Sequence, residues 1–162
     1  MGRLLSFLWT WIDILMAVLM LSMIALVFTN VVMRYGFSSG LRASVELSRL
    51  GFVWVVMLGA VVALRRGEHL AVTEFSEAFF PRAVPLLRRM AWLVILVCVS
   101  MLFWGATKQT IANWSNISPL TGLPTGIMYL SGIVSGLLMA FVAIVRIFGS
   151  PDYVQSLTED RR

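Results

Sequence analysis

Four stretches without charge set the rhythm of the chain. The first covers 14–33 and closes on Arg34 and Tyr35. The second has an uncharged core at 50–64, short for a membrane crossing, so its helix must borrow the preceding turn from Ser44, including Glu46 and Arg49. The third covers 90–107 and the fourth 127–145. None alternates apolar and polar residues with the period of two that marks a strand, and each exceeds the 9–11 residues or so of a membrane β-strand. At about 1.5 Å per residue, helices over these stretches cross a hydrocarbon layer of about 30 Å. A helix also pairs its backbone amides within itself, which lipid demands. The pattern predicts an all-α membrane protein. Its four transmembrane helices, at about 14–33, 44–64, 90–107 and 127–145, make a single domain over 1–148, followed by a polar tail at 149–162. The first stretch is long for a cleaved leader and no A-x-A site precedes Arg34, so it reads as a retained anchor.

Composition narrows the class. Of 162 residues, 59% are hydrophobic and 13% charged, against about 45–50% and about 25% in soluble domains. That excludes an ordinary water-soluble globule, and a disordered chain would not carry so much apolar surface. The net charge of +5 does not point to nucleic acid, because the arginines flank the apolar stretches, where topology accounts for them. Arg3, the five arginines of 65–89, Arg146, Arg161 and Arg162 fall on one side; Arg34, Arg42, Arg49 and Lys108 fall on the other. The positive-inside bias then places both termini in the cytoplasm. The single cysteine, Cys98, permits no intrachain disulfide and no thiolate metal site, and reads as a small core residue.

The connections differ in character. In 65–89, Thr73 can cap a helix whose Val72, Phe75 and Phe79 share one side and Glu74 and Glu77 the other, with Pro81 as the stop. This predicts a short amphipathic helix lying in the membrane plane between helices 2 and 3. The connection 108–126 is rich in Asn, Ser, Pro and Gly, with Trp114 as an interface anchor or partner contact. No internal repeat is visible, so the two-halves pattern of a self-sufficient transporter is missing.

Ionisable residues in or near the spans are few, and each needs a reason, because insertion of a charge costs about 2.5–3.5 kcal/mol. Asp13 sits beside Trp9 and Trp11, as in an interfacial tryptophan belt. Arg42, Glu46 and Arg49, spaced i, i+4, i+7, form one stripe that must face water, headgroups or another protein. An ion-paired or subunit-facing role fits it. Glu46 also admits a second reading, as the carrier of a self-sufficient small proton-coupled exporter, which transport by the purified chain alone would reveal. His69 is the sole histidine, so paired haem ligation and a histidine–carboxylate zinc site are not offered. No nucleophile–base or phosphate-loop pattern occurs, so no catalytic, cofactor-binding or metal residue is assigned. Gly132 and Gly136 form a G-x-x-x-G face in the fourth span, beside Ser131 and Ser135; Gly59, Ala60 and Ala63 thin one side of the second. Both suit close helix packing.

Taken together, Asn30-x-x-x-Arg34-Tyr35, Glu46 ahead of span two, and Arg65-x-Gly67-x-His69 after it resemble the DctQ-type small membrane subunit of tripartite ATP-independent periplasmic (TRAP) transporters. The stretch after His69 departs from the family's usual basic residue and aspartate, reading Leu-Ala71-Val-Thr73-Glu74. The resemblance implies a non-enzymatic scaffold in a bacterial inner membrane. Its partners would be a large multi-span elevator-type permease subunit, a periplasmic substrate-binding protein and membrane lipids. The assembly would take up an organic anion, a carboxylate or sugar acid, with sodium. Asn30, Arg34, Tyr35, Arg42, Glu46, Arg49, Arg65 and His69 would then lie at subunit or lipid interfaces.

Overall fold

The computed structural model describes residues 2–66 and 84–148, with side chains over 7–65 and 89–147. Four helices account for most of them: α1 (Gly2–Gly36), α2 (Arg42–Arg66), α3 (Val84–Ala112) and α4 (Gly126–Phe148). All four are long and apolar enough to cross a membrane, over Phe7–Gly36, Arg42–Arg65, Arg89–Ala112 and Gly126–Ile147. The all-α, four-span architecture is therefore as the charge-free stretches predict. The helices outrun those stretches. The turns beyond them carry Trp, Arg, Lys and Gln, residues that suit the membrane–water interface or tolerate it, and nothing there breaks a helix before Gly36 or Asn113. The expected in-plane helix, His69 and the tail lie outside the described residues.

The first hairpin is closed by its own polar groups. The carbonyl of Met33 accepts from the amides of Phe37 and Ser39, both at 3.1 Å, and Ser38 adopts the left-handed conformation at φ 52° that lets the chain leave α1. Asn30 Oδ1 accepts from the Leu41 amide at 2.9 Å, and Ser44 Oγ donates to the Leu41 carbonyl at 2.8 Å. Hence α2 turns back along α1 within five residues.

In space the helices form a row, α1–α2–α4–α3. The α3–α4 pair packs most extensively, followed by α1–α2 and α2–α4. Gly132 explains the closeness of the first pair: a Cβ there would lie 2.9 Å from Ala106 Cβ, and one on Gly136 would lie 3.3 Å from Phe103 Cβ. Ser131 and Ser135 are fully buried in this seam. Each donates its hydroxyl to its own helix, to Met128 and Ser131 carbonyls respectively, both at 2.7 Å, so no unpaired group faces α3. The core gathers Val61 and Leu64 of α2, Trp92 and Val99 of α3, and Met139, Val142 and Ala143 of α4. From α1 it takes Trp9, the sole buried residue of that helix between 7 and 36.

One local expectation changes. Cys98 is exposed on α3 rather than a core residue: Val97 and Met101 share its outward side while Val99 points in. A helix that is apolar all round offers no contrast from which to choose its inner face. Trp9 is buried against other helices, whereas Trp11 is exposed.

Candidate functional site

Each end of the row is tied differently. At the end bearing the α1–α2 turn and the α3–α4 loop, hydrogen bonds dominate. The loop 113–125 is a compact piece of structure. Ile117 and Pro124 form a bridge, and the amides of Ser118, Gly122 and Thr125 donate to Leu123, Ser118 and Asn116 carbonyls at 2.8–3.0 Å. Gly122 sits at φ 70°, where a side chain is disfavoured. Asn113 Nδ2 caps α3 through the Gln109 carbonyl at 2.9 Å. The Asn, Ser and Gly content of this connection is thus spent on holding one shape. Trp114, Ile117 and Leu120 remain exposed on it.

This loop is joined to α2 by Glu46. Its Oε2 accepts from Ser118 Oγ at 2.6 Å. Neither Arg42 nor Arg49 pairs with it, and both arginines are exposed. The carboxylate therefore ties two distant segments instead of closing a salt bridge along its own helix. Beside it lies a cleft of about 100 Å³ lined by Glu46, Leu47, Arg49, Leu50, Thr121, Leu123, Pro124, Thr125 and Met128. A second tie from α2 is Trp54, whose Nε1 donates to the Ile127 carbonyl at 3.3 Å. Arg34 and Tyr35, at the end of α1, are exposed, Tyr35 by 82%. Asn30 is half-buried in the turn bond already described.

At the opposite end, two arginines link all four helices. The Arg65 guanidinium lies 4.5 Å from the centre of the Trp9 ring. Arg146 Nη2 donates to the Arg65 carbonyl at 2.7 Å, and its guanidinium lies 5.7 Å from the Trp92 ring. The series Trp9–Arg65–Arg146–Trp92 runs α1, α2, α4, α3, the order of the row. Arg65 is the penultimate residue of α2, where a carbonyl lacks a helical partner, so Arg146 supplies a cap and a cation at a negative helix end. Arg146 and Trp92 were not singled out from sequence. Basic residues ending α2 and α4, with tryptophans near the starts of α1 and α3, were the available signal.

Along the row, α1 leaves an open apolar groove. One part, about 370 Å³, is lined by α1 from Leu15 to Leu26 and by Leu47, Leu50, Gly51 and Trp54 of α2. Another, about 290 Å³, lies between the start of α1 and Leu138 and Phe141 of α4. Gly59 faces α1, where an added Cβ would make ordinary contact with Met16, and Ala63 is half-buried. Glu46 and Arg49 lie within two turns of the α2 start. Among the described residues no three His, Cys, Asp or Glu side chains converge to hold a metal ion. The arrangement offers surfaces and ties, and among the described residues no Asp, Glu, Lys, Arg or His lies in the middle of a span.

Residues 23–150 match the family described as Tripartite ATP-independent periplasmic transporters, DctQ component. Two Haemophilus influenzae proteins, each named as a TRAP transporter small permease protein, are similar over most of their length. One is 33% identical over 139 residues, covering 86% of either chain. The other is 28% identical over 134 residues, 83% of this chain and 80% of its own length. A match across most of the four-helix row, carrying Asn30, Arg34, Tyr35 and Glu46 within it, settles the kinship: the chain belongs to the DctQ component family of the tripartite ATP-independent periplasmic transporters.

Proposed function

We propose that this TRAP small permease subunit is a non-catalytic brace, widening and steadying a large multi-span permease subunit in the bilayer. That larger partner would hold the substrate and sodium sites and move as an elevator. The cargo would be an organic anion, a carboxylate or sugar acid, delivered by a periplasmic binding protein. The excess of Lys and Arg on the connection 65–89 and near both termini supports an inner-membrane orientation with both termini cytoplasmic. Asn30, Arg34, Tyr35, Arg42, Glu46 and Arg49 then lie at the periplasmic interface, and Arg65 and His69 at the cytoplasmic one.

The observation that carries the reading is α1. It is long enough to span, yet buries Trp9 alone between 7 and 36 and rests mainly on α2. Lipid tails are as apolar as leucine, so exposure by itself drives no association. A helix held along one side nevertheless leaves its far side, with Leu21, Ile24 and Phe28 exposed, as room for a neighbour to pack, and the ties at both ends keep that face in one shape. Coexpression with the large permease tests this. A tagged chain should retain the large subunit through detergent extraction and size exclusion. Recovery of this chain by itself from membranes that contain both would contradict the brace.

A further inference from the structure

We propose that the cleft beside Glu46 and Arg49 binds the headgroup of a phospholipid of the phosphatidylethanolamine type, a phosphate next to a primary ammonium. Three observations meet here. First, the cleft carries one acid and one base three residues apart on α2, near enough on a helix to serve one small ligand, and they are not paired with each other. Glu46 spends Oε2 on Ser118, and Oε1 has no partner among the described residues. Arg49 is exposed, with all its donors available. A zwitterion satisfies both: its phosphate accepts from the guanidinium and its ammonium donates to Oε1, two charge-assisted bonds.

Second, the rim adds a donor for phosphate. Thr121 Oγ1 accepts from the Leu123 amide at 3.5 Å, which leaves its own proton to give. Third, the position suits a lipid. Arg49 immediately precedes the uncharged run that begins at Leu50, the depth at which a headgroup meets its acyl chains. Leu47 and Leu50 also line the 370 Å³ groove against α1. An acyl chain leaving the headgroup therefore has an apolar channel walled by the same two leucines. A choline headgroup, with no N–H, cannot donate to Glu46; a glycerol headgroup brings no cation for it. This inference goes beyond the bracing role and does not require it.

Native mass spectrometry of the full chain, delipidated and then titrated with phosphatidylethanolamine, phosphatidylcholine or phosphatidylglycerol of identical acyl chains, tests the site. The ethanolamine lipid should bind about tenfold more tightly than the other two, the scale of one charge-assisted bond. Glu46→Gln should erase its advantage over the choline lipid, and Arg49→Ala should weaken all three. Thr121→Val removes a donor to the phosphate, which all three lipids carry, and with it the long Leu123 amide bond, so it should weaken the three together and leave the ethanolamine preference in place. Equal binding of the three lipids by the unaltered chain overturns the proposal, as does unchanged preference in Glu46→Gln.

Discussion

Arg146 shows how much one side chain does here. It caps the exposed carbonyl end of α2, stacks on Trp92 of α3 and is itself carried by α4. Arg146→Ala removes the cap and the stack together, and we expect a loss of about 2–4 kcal/mol, from a charge-assisted bond plus a cation–π contact. Arg65→Ala keeps the carbonyl that Arg146 uses and removes the stack on Trp9, so it should cost about 1–2 kcal/mol. Thermal unfolding in detergent should rank the two in that order; equal losses would mean that the carbonyl bond is idle. Glu46 belongs to the same scale. Ser118→Ala strips its hydrogen bond, and amide exchange across 116–125 should quicken while exchange within α4 stays as it was.

At the scale of elements, the α3–α4 seam rests on small residues. Gly132→Ala puts a methyl 2.9 Å from Ala106 Cβ, and overpacking of this kind costs about 1–3 kcal/mol. Ala106→Gly in the same chain should recover most of the loss, because it removes the atom that is met. A double-mutant cycle in detergent measures this, and simple additivity of the two changes would contradict the close approach. The four spans were legible in the sequence because a bilayer forbids charge within them, so 14–33 and its three counterparts stand out. Their inward faces were less so. Where the surroundings are as apolar as the core, burial leaves no periodic mark, and Cys98 was placed on the wrong side for that reason. The G-x-x-x-G of α4 could be read because backbone approach demands small residues whatever the solvent. The ties could not. Ser118 lies 72 positions from Glu46 and Arg146 lies 81 from Arg65, and local spacing says nothing about such partners. The stripe of Arg42, Glu46 and Arg49 was visible as a pattern, but its carboxylate turned out to serve the loop rather than the arginines.

For the molecule as a whole, the row α1–α2–α4–α3 is fastened at both ends and open along α1. Hydrogen bonds through Asn30, Glu46 and Trp54 hold one end, and the two arginines hold the other. These ties join neighbouring helices at both ends of the row. The central claim is that α1 is the face presented to the large subunit. Photo-crosslinking in native membranes tests it most directly, with a photoreactive residue in place of Leu21, Ile24 or Phe28 on α1, or of Val97 or Met101 on α3, all exposed. The account predicts a crosslinked band with the large permease subunit from the α1 positions and lipid adducts alone from α3. Crosslinking to that subunit from α3, with none from α1, would contradict it.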